Sequence, residues 1–320
     1  MSPARRIIKV PLEPIAGSRF QPTGFPDLGA AVFDRPNPDG GTERCLLVES
    51  NQSMANRLEG TAWDLAEQAP NAVVDGLPWV KVVAENDGRY LTSSRTESHR
   101  LASAFVKSAM TADGTSMVDE IKSRLELRDD TPLAPRTIAR AVFALDPFCL
   151  IHGVFFADSK WPGQPKVTRA LTASIEAHGI HDAVSGGVKR DQVRHSINDR
   201  SDGGTKEGYG SVPFSRSEYT AKEIIATFVL DLALLDSFGL PAAGRDLLES
   251  VALWEVRTLL DGGLRLRTAC DLTVIEGADV DLPEADTLTA RIREGIEASG
   301  ELIGPGVPLT VRWSSGRSKP

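Results

Sequence analysis

The sequence predicts an α+β fold, and three observations carry that expectation. Short segments of strand-like alternation recur along the chain, at 6–10, 44–49, 166–177 and 263–274. Between them lie stretches with apolar residues at helical spacing, at 54–65, 115–127 and 135–145. No Gly-x-Gly-x-x-Gly turn joins a strand to a helix, so the fingerprint of a parallel dinucleotide-binding sheet is missing. Such an order of elements suggests an α+β sheet of ferredoxin-like or RNA-recognition type, carrying large insertions.

Taken in order, 6–10 reads as the first strand, and Phe20-Gln-Pro-Thr-Gly-Phe-Pro-Asp-Leu-Gly29 as a turn-rich segment. The strand 44–49 runs straight into Ser50, a helix N-cap. The following helix puts Met54, Leu58, Ala62 and Leu65 on a core face and Ser53, Arg57, Gly60 and Asp64 on a neighbouring stripe. Gly60 inside it costs about 1 kcal/mol, which predicts either a close neighbour or a local break. With Gln52, Ser53, Asn56 and Arg57 near a helix N-terminus, unpaired N–H groups and the helix dipole favour an anion, and a phosphate fits.

A second polar stretch is Leu91-Thr-Ser-Ser-Arg-Thr-Glu-Ser-His-Arg100. Ser94 and Glu97 have the spacing of a capping box before Leu101 and Phe105, and Ser93, Arg95, Thr96 and His99 would cluster there. Two helices follow at 115–127 and 135–145, the second opened by Pro135. The run 147–156 reads as a buried strand with His152 as a core residue. The long strand 166–177 carries Thr168, Thr172 and Ser174 on a polar side that a ligand could reach. From 181 to 219 the core signal fades into glycines and cations, including Lys189, Arg190 and Arg194; this is expected to be a basic protrusion, an extended hairpin that orders on RNA. A buried strand or helix resumes at 219–238, a strand at 263–274 and a surface helix at 287–299, and the tail 314–320 is expected to fray.

The 320 residues are 41% hydrophobic and 25% charged, a soluble globular composition. The net charge of −8 is uneven: residues 1–222 hold 27 Lys+Arg against 28 Asp+Glu, and 223–320 hold 9 against 16. A polyanion can therefore bind one face of an acidic chain. No apolar run nears the roughly 20 residues that span a bilayer, so no membrane partner and a cytoplasmic location are expected. Cys45, Cys149 and Cys270 read as core residues, and the pair His178 and His181 lacks companions for a zinc site. Nucleotide-binding, hydrolase and metalloprotease motifs are missing, and no cofactor is expected. Asp199 and Asp202 leave open the alternative of a metal-dependent RNA endonuclease.

Several of these stretches together resemble one family: Phe20 to Gly29, Val48-Glu-Ser-Asn-Gln-Ser-Met-Ala-Asn-Arg-Leu-Glu59, Ser93 to Arg100, Leu145-Asp-Pro-Phe148 with His152-Gly-Val-Phe-Phe156, and Arg169-Ala-Leu-Thr-Ala-Ser-Ile-Glu176. Across about 15–275 the chain resembles the RAMP-superfamily backbone subunit of type I-G (formerly I-U) CRISPR effector complexes, the Cas-seven-type guide-RNA-binding subunit of Cascade. The resemblance implies a modified RNA-recognition-motif palm within one domain, with a helical finger-like insertion at about 60–145 and a thumb-like protrusion at about 181–219. It also implies a non-catalytic subunit that polymerises head to tail along crRNA and presents it to a target DNA strand, beside a large subunit and a crRNA-processing subunit. The residues it implies at the RNA are Gln52, Ser53, Asn56, Arg57, Ser93, Arg95, Thr96, His99 and Arg169, with Lys189, Arg190 and Arg194 placed on the thumb by character rather than by motif.

Overall fold

The first strand, β1 (Arg5–Pro14), alternates strictly: Ile8, Val10 and Leu12 are buried while Ile7, Lys9 and Glu13 face out. A computed structural model describes residues 4–25, 29–37, 39–191, 210–304 and 307–314. After β1 come β2 (Val32–Pro36) and β3 (Thr42–Glu49), then α1 (Asn51–Thr61). The chain next makes a long excursion containing β4 (Val80–Ala84), β5 (Tyr90–Ser93), α2 (Met117–Arg124), α3 (Pro135–Leu145) and α4 (Phe148–His152). It returns as β6 (Leu171–His178), projects a hairpin of β7 (His181–Asp191) and β8 (Gly210–Thr220), and re-enters as β9 (Glu223–Asp231). The helix α5 (Ala242–Asp261), the pair β10 (Leu264–Arg267) and β11 (Cys270–Val274), α6 (Ala285–Ala298) and β12 (Leu309–Trp313) complete the main elements.

Seven strands form the central sheet in the order β10-β11-β1-β9-β6-β3-β2, with every neighbouring pair antiparallel. Its middle is β11-β1-β9-β6, threaded as β1-α1-β6-β9-α5-β11, the strand order and helix placement of a ferredoxin-like unit. The α+β expectation therefore holds in detail. One face of the sheet buries Ile8, Val10, Ala173, Ile175, Ala226 and Phe228 under α1 and α5. The other carries Lys9, Thr172, Ser174 and Thr227, as the polar side expected for 166–177 requires.

Between Thr61 and Leu171 no strand joins the central sheet. The excursion has its own three-stranded sheet, in which β12 from the C-terminal region lies parallel to β4 and pairs Leu309 with Val80 through to Trp313 with Ala84. The hairpin expected at 181–219 is present: β7 and β8 pair from His181 opposite Thr220 to Asp191 opposite Gly210. Eleven residues per strand make it roughly 35 Å long.

Five local expectations need correction. The single strand expected at 263–274 is two, because the chain turns back at 268–269 and Leu264 pairs with Leu272. The run 147–156 is not a strand throughout, because Pro147 leads into the buried α4, and only Val154–Phe155 is extended. The strand 166–177 is broken at 168–170. Leu65 is 83% exposed, since α1 ends at Thr61 and Ala62 is the last core residue of that face. Gly60 neither breaks the helix nor meets a neighbour, as nothing lies within 4 Å of where a Cβ would stand. The three cysteines are buried thiols, and no helix among the described residues is long and apolar enough to cross a membrane.

Candidate nucleic-acid interface

Ser50 opens α1 by accepting a hydrogen bond from the Ser53 N–H at 3.3 Å. Met54, Ala55, Leu58 and Glu59 then turn inwards, leaving Gln52, Asn56 and Gly60 as an outer stripe one turn apart. Ser53 and Arg57 lie half-buried on a flank. Arg57 donates to the carbonyls of Arg265 at 3.3 Å and Leu266 at 2.6 Å, and stands 3.7 Å from the buried carboxylate of Glu49, which Arg267 also pairs. Much of its hydrogen-bonding capacity thus ties α1 to β10.

The second expected cluster is a turn facing α1, not a helix start. Ser94 and Glu97 make no capping box: Ser94 donates to Asp146, Glu97 accepts from Thr92 at 2.7 Å, and the helix begins only after Ser103. Arg95 is drawn beneath the surface. It is 7% exposed, its guanidinium sits 3.5 Å from the Phe148 ring centroid, and its Nε stands 2.7 Å from Asp146. Ser93 is fully buried and closes the turn with Thr96 at 3.0 Å. Arg95 and Ser93, expected at the RNA, hold the turn together instead, while Thr96 and His99 stay exposed.

Sequence reasoning missed Arg100, which joins the two clusters. Its backbone is left-handed, with φ 50°, and its guanidinium clamps Glu59 of α1 through Nε at 2.6 Å and Nη2 at 2.5 Å, with Nη1 donating to the Gly153 carbonyl at 3.0 Å. Burial opposes the Arg100 charge, but the Glu59 carboxylate more than offsets it and the guanidinium pKa rises. The pair fixes the outer stripe of α1 against the turn.

Beside Arg100 opens a cleft of about 680 Å³ that gathers Gln52, His99, Lys166, Thr168, Arg169 and Thr172. None of its fourteen lining residues is acidic, in a chain with 44 Asp and Glu. Arg169 donates from Nε to the His152 carbonyl at 3.2 Å, and no carboxylate pairs with it among the described residues. Burial, followed by the neighbouring Arg100 charge, lowers its pKa. Lys166 likewise has no carboxylate partner among the described residues and lies 5.7 Å over the Phe155 ring. Gly153, at φ 83°, is required here: a Cβ would stand 3.0 Å from the Val167 carbonyl oxygen and 3.1 Å from the Arg169 side chain.

Under the floor, His152 and Glu255 form a wholly buried pair at 2.9 Å. Burial lowers the His152 pKa to about 4 and pushes Glu255 well above the carboxylate range. On the other side of the turn a smaller cleft, about 300 Å³, brings together Asn56, Gly60 and Thr96, with Arg95 at its floor. The expected residues therefore divide: Gln52, His99 and Arg169 share one cleft, Asn56 and Thr96 another, and Ser53 and Arg57 lie apart. Lys189 and Arg190 lie on β7 near its outer end, and Arg194, Asp199 and Asp202 fall outside the described residues. Among the described residues no group of three or more His, Cys, Asp or Glu is arranged to hold a metal ion.

The family model described as CRISPR-associated protein GSU0053 (Cas_GSU0053) matches residues 7–182, more than half of the chain. The chain belongs to this CRISPR-associated family. The match spans every residue that lines either cleft. No curated protein matches. Among solved structures the chain is similar to one described as "CRISPR RNA-guided surveillance complex, pre-nicking", at 11% identity over 93% of this chain and 89% of that one, with a TM-score of 0.36. It is also similar to Csc2 of Thermofilum pendens, at 10% identity over 94% and 78%, with a TM-score of 0.32.

Proposed function

We propose that this member of the family is the crRNA-binding backbone subunit of a type I-G CRISPR interference complex, and that its larger cleft grips the guide backbone. The observation that carries this reading is the pair of cations without carboxylate partners, Lys166 and Arg169, in a cleft without acidic lining. A half-buried guanidinium whose pKa is depressed by burial and by another arginine gains most from an anion, and a phosphodiester supplies one. Gln52 at the start of α1 adds a short polar side chain beside the positive end of the helix dipole. Contacts of this kind hold the backbone without reading bases, so sequence would be read by pairing of the guide with a target DNA strand.

The hairpin supports a head-to-tail arrangement of copies. It leaves β6 at His178, the end opposite the cleft at Arg169 and Thr172, so within one chain it extends away from the cleft. Its basic positions Lys189, Arg190 and Arg194 would then serve RNA beside a neighbouring copy, with the large and crRNA-processing subunits as further partners. The subunit acts by binding rather than by catalysis. Alanine at both Lys166 and Arg169 tests this reading: it should weaken binding of single-stranded RNA of any sequence by about tenfold or more, and unchanged affinity would overturn it.

A further inference from the structure

We propose that Phe155 is a stacking platform for a nucleobase of the RNA that the larger cleft holds, an inference that rests on the RNA-binding reading above. Phe155 is 48% exposed and lines the cleft. It lies on a two-residue ribbon in which Val154 pairs with Val167 and Phe155 with Lys166. Alternation buries both valines, at 5% and 9% exposure, and turns Phe155 and Lys166 outwards together.

The ribbon is held on both sides. Gly153 gives its carbonyl to Arg100, and the Phe156 N–H donates to the Pro165 carbonyl at 3.1 Å. Phe156 itself is fully buried edge-on against Trp161, with centroids 5.0 Å apart. The Phe155 ring is thus presented by a fixed support, while no aromatic ring packs on it among the described residues. Exposed Phe105, by contrast, already leans on Trp313 at 5.2 Å.

The surroundings select a nucleobase as the occupant. An exposed ring with a lysine ammonium over it and an arginine without a carboxylate partner nearby offers a π-face for a base and cations for the phosphates on either side. A protein side chain would satisfy the ring but leave those charges unanswered. Stacking accepts every base, so the contact adds affinity without sequence preference, as a subunit repeated along any guide requires.

Fluorescence anisotropy with labelled single-stranded RNA at several salt concentrations tests the assignment, using the full chain and the variants Phe155→Ala, Phe155→Trp and Lys166→Ala. Phe155→Ala should weaken binding by about 5- to 150-fold, the factor that about 1–3 kcal/mol of stacking represents. Its dependence of log K on log salt should match that of wild type, and Phe155→Trp should restore affinity. Lys166→Ala should reduce the slope by about 0.7, the share of one phosphate. Wild-type affinity in Phe155→Ala, or a loss that comes only with a flatter slope, would overturn the stacking role alone. A wild-type chain that ignores RNA would overturn the cleft reading and the stacking with it.

Discussion

Glu255→Gln separates two titrations that the wild-type protein holds in balance. Glu255 and His152 are both 0% exposed, so each resists charge. Burial takes His152 from 6.5 to about 4 and carries Glu255 well above 4.5, so above pH 4.5 the folded pair holds one proton, on the carboxyl, until the raised Glu255 pKa is reached. The unfolded chain carries one proton on these groups between about pH 4.5 and 6.5, and none above. The depressed His152 contributes stability that is present above pH 6.5 and lost as pH falls towards 4. The raised Glu255 contributes stability that is present below pH 4.5 and lost as pH rises. Each gives a slope of about 1.4 kcal/mol per pH unit, and where the two ranges overlap the slopes cancel. Glutamine keeps the shape and a hydrogen-bonding atom for His152 but removes the Glu255 slope. The variant should then lose about 3 kcal/mol on acidification from pH 6.5 to 4 through His152 alone. Measured as a difference from wild type, which removes the carboxylates common to both, the variant should gain stability relative to wild type as pH rises above 4.5, at up to about 1.4 kcal/mol per pH unit. Guanidinium unfolding followed by tryptophan fluorescence at pH 5, 6 and 7 gives the comparison. A difference that does not change with pH would refute the one-proton pair.

Arg100→Ala should lose about 3–5 kcal/mol in chemical unfolding, because it strands the buried Glu59 carboxylate. Arg100→Lys should recover only part of this, since an ammonium cannot make the bidentate contact, and a neutral Arg100→Ala would show that the pair does not join α1 to the turn. Gly60→Ala should raise stability by about 0.5–1 kcal/mol, because the Cβ enters open space on an exposed helix face. A loss on thermal or chemical unfolding would contradict it.

What was legible in the chain follows from how local the determining interactions are. The N-cap at Ser50, the core residues Met54 and Leu58, Pro135 at the head of α3 and the alternation of β1 are set within a few residues, and each stands where the sequence puts it. The longest helix, α5, was missed because its environment hides its period. It is packed between the sheet, α1, α4 and α6, so Leu247, Leu248, Val251, Leu253, Trp254 and Val256 leave no polar stripe to mark a face. The parallel pairing of β12 with β4 joins segments more than 220 residues apart, which no local pattern encodes. At the site, Gln52, His99 and Arg169 were recognised one by one, but not that they share a cleft. Arg95 was misplaced at the surface because its partners, Asp146 and Phe148, lie about fifty residues away. Phe155 and Lys166 were missed for a related reason: 147–156 is apolar enough to read as one buried strand, and only the turn at Gly153 sends Phe155 outwards.

The salt dependence of single-stranded RNA binding, compared between the wild-type chain and the Lys166→Ala, Arg169→Ala double variant, bears most directly on the central claim. Wild-type affinity should fall steeply with salt for RNAs of unrelated sequence, and the double variant should bind more weakly with a slope shallower by about 1.4, the share of two phosphates on a single strand. Equal affinities and equal slopes in the two proteins would contradict the assignment of this cleft to the guide backbone.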